Sequence, residues 1–225
     1  VGGFAVALIG LTYSELASAM PKAGGEHVYT LRALGHRWSF ACTWALLFAY
    51  VNVCLFEAVA LPSAIEYLLP DIRMGTLWTF VGSDVDLGFV LIGSGAAVLV
   101  TWVNILGIRT AAILQSIVTV LIVISGVLLI SGAALFGEFE NAKPLLATPA
   151  TGIISVLIMV PALLVGFDVI PQSAEEIDLP ANKIGRLLVI SVACAVAWYV
   201  LIAFAVGLGL TSQQQATSTM ATADA

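Results

Sequence analysis

Six long apolar runs divide this chain, and they constrain its fold more than any other feature. They cover residues 1–20, 38–61, 88–106, 111–136, 152–170 and 187–210. Each approaches or exceeds the roughly 20 residues that one helical crossing of a bilayer needs. In lipid, a helix is the only open-chain element that satisfies its own backbone. The strands of a membrane barrel alternate over about ten residues, whereas these runs are continuous. The expected fold is therefore an all-α integral membrane protein with six transmembrane helices. Residues 1–225 read as a single transmembrane domain with a polar tail at 211–225. Composition agrees, with 60% hydrophobic and 10% charged residues and a mean hydropathy of +1.07, where a soluble domain carries about 25% charge. The net charge of −6 has the wrong sign for tracking phosphates. Nucleic acid is excluded as a partner, and the lipid bilayer is the expected surround.

The linkers sort by charge. Lys22, Arg32 and Arg37 follow the first run, Arg109 the third, and Lys183 and Arg186 the fifth. The alternate linkers hold Glu66, Asp71, Asp84, Asp86, Glu138 and Glu140, with only Arg73 and Lys143. Basic residues near span ends mark the cytosolic side, which puts the first set in the cytosol and both ends of this chain outside. The chain starts at Val1 inside an apolar run, without a basic segment or cleavage motif. It reads as a truncation and not as a signal peptide.

Between the runs, Pro21-Lys22-Ala23-Gly24-Gly25 stops the first helix. Residues 27–35 form a short amphipathic connector, with Val28, Leu31 and Leu34 on one face. Residues 62–87 exceed a tight loop. Ile65, Tyr67, Leu68 and Leu69 suggest a short surface helix there, and Trp78 and Phe80 suit an interfacial aromatic belt. Cys42, Cys54 and Cys194 all lie in apolar runs, with no Cys-x-x-Cys and no His/Cys cluster. Three reduced, packed thiols and no metal site are expected.

Ionisable groups at membrane depth are functional candidates. Glu15 and Glu57 lie near span ends, where a snorkelling structural role suffices. Asp168 belongs to Val165-Gly166-Phe167-Asp168-Val169-Ile170-Pro171, in a run that also holds Pro161. Pro161, Gly166 and Pro171 weaken one crossing at three points. The pattern is compatible with a bent helix or with a discontinuous one, whose unpaired backbone groups face a polar ligand at mid-membrane. Asp168 either binds substrate or a coupling proton, or caps the second half-helix; orphan amides at such a break favour the cap. The only histidines, His27 and His36, sit in the first cytosolic linker. With no His-Glu-x-x-His, no embedded Ser/His pair and no phosphate-binding loop, neither an enzyme nor a cofactor is indicated.

Three stretches then resemble a known family. Leu11–Tyr29, ending in Pro21-Lys22-Ala23-Gly24-Gly25-Glu26-His27-Val28-Tyr29, is similar to the second-helix signature of amino acid permeases of the amino acid–polyamine–organocation superfamily. Asn104-Ile105-Leu106-Gly107 resembles that family's entry into helix five. Gly166-Phe167-Asp168, with Ala174-Glu175-Glu176 and Pro180, resembles its sixth helix and the loop beyond. The resemblance implies a LeuT-like inverted-repeat fold of which this chain would supply helices two to seven. It implies a secondary transporter in the cell membrane that moves amino acids by proton symport or exchange, with a proton or sodium as coupling ion. It also implies a broken-helix substrate site at Ala162, Leu163, Val165, Gly166, Phe167 and Asp168, where carbonyls near Ala162 and Val165 receive the ammonium group. The alternatives are a polyamine or organic amine transporter, and a non-transporting membrane subunit of the same fold.

Overall fold

The computed structural model describes residues 2–143, 154, 157–158, 166–175, 177, 180–218 and 220–225. In chain order the elements are α1 (Gly2–Ala19), α2 (Glu26–Leu34), α3 (His36–Leu68), a 3-10 turn (Pro70–Ile72), β1 (Thr76–Phe80), β2 (Ser83–Asp86), α4 (Leu87–Ile105), α5 (Ile108–Phe136), α6 (Val169–Gln172), α7 (Ala181–Gly209), α8 (Ser212–Thr217) and α9 (Ala221–Asp224). Five of the six apolar runs fold as helices long and apolar enough to cross a membrane. The sixth, 152–170, lies mostly outside the described residues. Along α3, α4 and α5 large side chains such as Phe48, Val98 and Leu128 point outward. Lipid accepts such faces, because tails are as apolar as the side chains.

By its contacts the chain divides into Val1–Trp44 with Val127–Ala225, and Ala45–Gly126. In the first unit α1 and α7 run antiparallel, and small residues set their approach. A Cβ on Gly10 would stand 3.2 Å from Val192 Cγ2, and one on Gly185 would stand 2.6 Å from the Ser14 carbonyl oxygen. Val6, Leu188 and Val192 form the buried seam, joined by Tyr13, Phe167, Ile170 and Val196. A second cluster of Ala17, Ala174 and Ile184 continues it. The end of α5 meets the end of α7 through Ala133, Ala205 and Leu208. There the Leu208 carbonyl accepts from the Glu138 N–H at 3.1 Å and from Asn141 Nδ2 at 3.0 Å. These two donors satisfy an acceptor that the helix end leaves open.

In the second unit, α3 runs seven residues past its expected end at Leu61, straight through Pro62. Pro62 has no N–H for the Ala58 carbonyl, and Gly93 of α4 packs against that carbonyl so closely that a Cβ would collide with it. The connector holds no separate surface helix: residues 65–68 are the last turn of α3, and Leu69 leads into the 3-10 turn. The chain then pairs β1 with β2 as an antiparallel hairpin, so the fold is mostly but not purely helical. Its two-residue turn, Val81-Gly82, takes φ of +48° and +80°, the sign pattern of the turns that match strand twist. Arg73 fastens this hairpin, binding Glu66 Oε1 at 2.5 Å and Asp86 Oδ2 at 2.9 Å, with its guanidinium over the Phe89 ring.

The polar tail folds as α8 and α9, with a reciprocal Thr211–Gln214 capping box starting α8, and one smaller expectation changes. The three cysteines are free, but only Cys42 is partly covered; Cys54 and Cys194 are exposed, on outward apolar helix faces and not in packed positions.

Candidate functional site

The backbone around Asp168 departs from regular helix. Gly166 has φ of +116°, a region that side chains with a Cβ rarely adopt. Residues 166–168 form a turn, and α6 follows as little more than one helical turn. Asp168 Oδ1 accepts the Gly166 N–H at 3.0 Å. The expected cap is thereby corrected. Asp168 holds the N-cap position of α6, but its side chain makes no capping bond to that helix. It satisfies the amide upstream of the turn instead, because Gly166 turns that N–H toward it.

The α1/α7 seam holds this stretch in place. Phe167 meets the Tyr13 ring edge-on, with centroids 5.3 Å apart. Ile170 packs on both clusters of the seam, and Ala174 is buried in the second. Pro171 is fully buried and sits in the first turn of α6, where its missing N–H costs nothing.

On its other side, α6 meets the linker between α1 and α2. The Gly24 N–H donates to the Gln172 carbonyl at 3.1 Å. The Gln172 side-chain amide donates to Glu26 Oε2 at 3.1 Å and to Asp168 Oδ2 at 3.4 Å. Two carboxylates thus draw on one amide. Glu26 stays in place because α2 is pinned to the start of α3. His27 Nδ1 lies 2.8 Å from Thr43 Oγ1 and 3.0 Å from Ser39 Oγ, and the Ser39 hydroxyl donates to the His27 carbonyl at 2.9 Å.

Glu26 is only 8% exposed. The Tyr13 side chain also reaches the Glu26 carboxylate, while the hydroxyl of buried Tyr29 finds no hydrogen-bond partner among the described residues. Burial, and then the nearby Glu26 carboxylate, push the Tyr29 phenol up to about 12. Tyr13 also lies in the field of Glu26 and Asp168. Two carboxylates, a side-chain amide and a glycine turn thus meet around α6. No group of three or more His, Cys, Asp or Glu that could hold a metal occurs among the described residues.

Of the sequence-derived site residues, Ala162, Leu163 and Val165 lie outside the described residues. Gly166 is exposed, and Phe167 and Asp168 are half-buried, in one turn. Glu15 and Glu57 are exposed. Reasoning from sequence missed Glu26, Tyr29 and Gln172 as members of the site. The available signal was Glu26 directly after Gly24-Gly25, although its burial depends on Gln172, far along the chain.

The family model described as amino acid permease matches residues 1–222. Among curated proteins, the branched-chain amino acid permease BcaP of Bacillus subtilis (strain 168) is 25% identical, over 89% of this chain and 44% of its own length. The Asc-type amino acid transporter 1 of Mus musculus is 26% identical, over 85% of this chain and 36% of its own. The cationic amino acid transporter 4 of Homo sapiens is 25% identical, over 90% and 33% respectively. The chain spans less than half the length of each of these relatives.

Proposed function

This chain belongs to the amino acid permease family, and on that premise we propose that it is part of a secondary transporter carrying amino acids across the membrane by proton symport or exchange. Its family and its relatives are multi-pass membrane transporters and not enzymes. The substrate site of this reading is a broken helix at Ala162, Leu163, Val165, Gly166, Phe167 and Asp168, within a LeuT-like fold whose six crossings here form one membrane domain. The observation that supports the reading is the backbone of Gly166, whose φ of +116° lies beside a half-buried carboxylate. Backbone groups freed by such a break suit a zwitterion, being directional and not removable by titration.

A second reading rests on the carboxylates. Asp168 and Glu26 share the Gln172 amide, and paired acidic oxygens suit a diamine or other organic cation. Uptake of labelled amino acids by the full-length protein in proteoliposomes tests both. Saturable uptake competed by neutral amino acids supports the first reading, and competition by diamines alone supports the second. Substrate binding without uptake would point to a non-transporting subunit. Imposed proton and sodium gradients in the same vesicles identify the coupling ion.

A further inference from the structure

α2 turns its polar face inward and its apolar face outward. Glu26 and Tyr29 are buried against the protein, whereas Leu34 is 61% exposed and Val28 and Leu31 are only partly covered. On a helix Val28 and Leu31 fall opposite Glu26 and Tyr29, and Leu34 lies one turn beyond Leu31. An outward apolar edge is unfavourable in water, but it is the edge that an interfacial helix buries in a bilayer surface. The place of α2 in the chain fits. It joins α1, which ends at Ala19, to α3, which begins at His36, and both are long and apolar enough to cross. The edge continues onto the first turn of α3, where Trp38 is 65% exposed, and tryptophan is favoured at membrane boundaries. The Ser39 N–H donates to the Gly35 carbonyl at 3.1 Å and its hydroxyl to the His27 carbonyl at 2.9 Å. These bonds tie the two outward edges together.

The charge beside this edge has one sign. Arg32 and Arg37 are exposed and make no ion pair among the described residues. No Asp or Glu occurs from His27 to Phe56, in a chain whose net charge is −6. Elsewhere the basic linkers differ: Arg109 stands alone, and Lys183 and Arg186 follow Glu175, Glu176 and Asp178. Arginine offers a planar fork of donors that matches phosphate, and its stem can lie along apolar surface while the head stays in water. We propose that the outward edge of the α2–α3 corner binds anionic phospholipid. The acyl chains lie against Val28, Leu31, Leu34 and Trp38, and the phosphate-bearing headgroups meet Arg32 and Arg37. This goes beyond the transport reading and does not depend on it.

The test uses the full-length protein in phosphatidylcholine bilayer discs, with Trp38 kept and every other tryptophan replaced by phenylalanine. Chain-brominated phosphatidylglycerol or chain-brominated phosphatidylcholine is added at equal mole fraction, and quenching of Trp38 fluorescence reads the lipid beside it. Association of the anionic lipid should exceed that of the neutral one by roughly tenfold or more. The preference should shrink at about 1 M salt, where charges are screened within about 3 Å. In Arg32→Gln/Arg37→Gln it should vanish, leaving quenching by the neutral lipid unchanged. Equal quenching by the two lipids in the wild type overturns the proposal, as does a preference that survives the double substitution. Quenching by neither lipid would mean that protein covers the edge, and overturns it too. A second arm keeps all tryptophans. With spin-labelled phosphatidylglycerol, the fraction immobilised by the protein should fall in Arg32→Gln/Arg37→Gln relative to wild type, and an equal fraction rejects the site.

Discussion

Gln172 and Glu26 stand 146 positions apart in sequence and share a hydrogen bond of 3.1 Å. Through it the glycine pair closing the first linker touches the short helix that follows the Gly166 turn. Packing explains how two such distant segments meet. The α1/α7 seam seats Phe167 and Ile170, so α6 lies beside the end of α1 where the linker begins.

Tyr29→Phe should leave stability unchanged or raise it by about 1 kcal/mol, because it removes a buried hydroxyl that lacks a partner among the described residues. The sign of its pH effect follows from the raised phenol pKa. Between about 10, the unfolded value, and about 12 in the folded protein, the folded state keeps a proton that the unfolded state releases. Stability is full below that window and falls as pH rises through it. Melting temperatures measured from pH 9 upward should fall less steeply in Tyr29→Phe than in wild type. Parallel slopes would show that Tyr29 is not buried as described.

Two glycines of α7 should respond in opposite ways. Gly185→Ala pushes a methyl group toward the Ser14 carbonyl oxygen, 2.6 Å from its ideal position, and toward Ser14 Oγ at 2.7 Å. A backbone carbonyl cannot swing aside, so overpacking should cost about 1–3 kcal/mol. Gly207→Ala meets nothing within 4 Å among the described residues and should be neutral or gain up to about 1 kcal/mol from reduced chain entropy. Thermal unfolding of the full-length protein in detergent reads both. Equal destabilisation would mean that α1 does not approach α7 at Gly185.

The helices were legible where one length scale decided them. An apolar run either matches the bilayer thickness or does not, so α1, α4 and α5 fall within a few residues of their expected limits. The end of α3 was not legible, because the effect of Pro62 depends on Gly93 packing at the Ala58 carbonyl. The hairpin was hidden for a similar reason. Ile65–Leu69 carries a helical apolar pattern, and the alternating strand beyond it has only five residues. At the site, the positive φ of Gly166 is a backbone conformation that glycine permits, and the sequence allowed for it. Glu26 was not legible: a carboxylate in a polar linker looks solvated until Gln172 and Tyr29 enclose it.

Sidedness follows from charge. Lys22, Arg32, Arg37, Arg109, Lys183 and Arg186 should all lie on the cytosolic side. With a single cysteine at position 109 in an otherwise cysteine-free full-length protein, an impermeant reagent should label only after the cytosolic face is opened. Labelling in intact cells from outside would invert the topology.

Gly166 and Asp168 should separate backbone from charge at the proposed substrate site. Among the described residues a methyl group at 166 meets no atom within 4 Å, so Gly166→Ala tests the φ of +116°. Forcing that angle on a residue with a Cβ costs about 1–3 kcal/mol, and substrate affinity should fall by roughly ten- to a hundredfold. Gly166→Val should abolish binding while leaving membrane insertion intact. Asp168→Asn keeps an oxygen that can accept the Gly166 N–H, now bonded to Oδ1, and loses only the charge. If Asp168 serves to hold the turn, this variant transports nearly as well as wild type, while Asp168→Ala resembles Gly166→Ala. If it binds a cation or a coupling proton, Asp168→Asn loses uptake or its pH dependence. Radioligand binding and uptake in the full-length protein, corrected for surface expression, distinguish these outcomes. Wild-type affinity in Gly166→Val would remove the broken-helix site from this position.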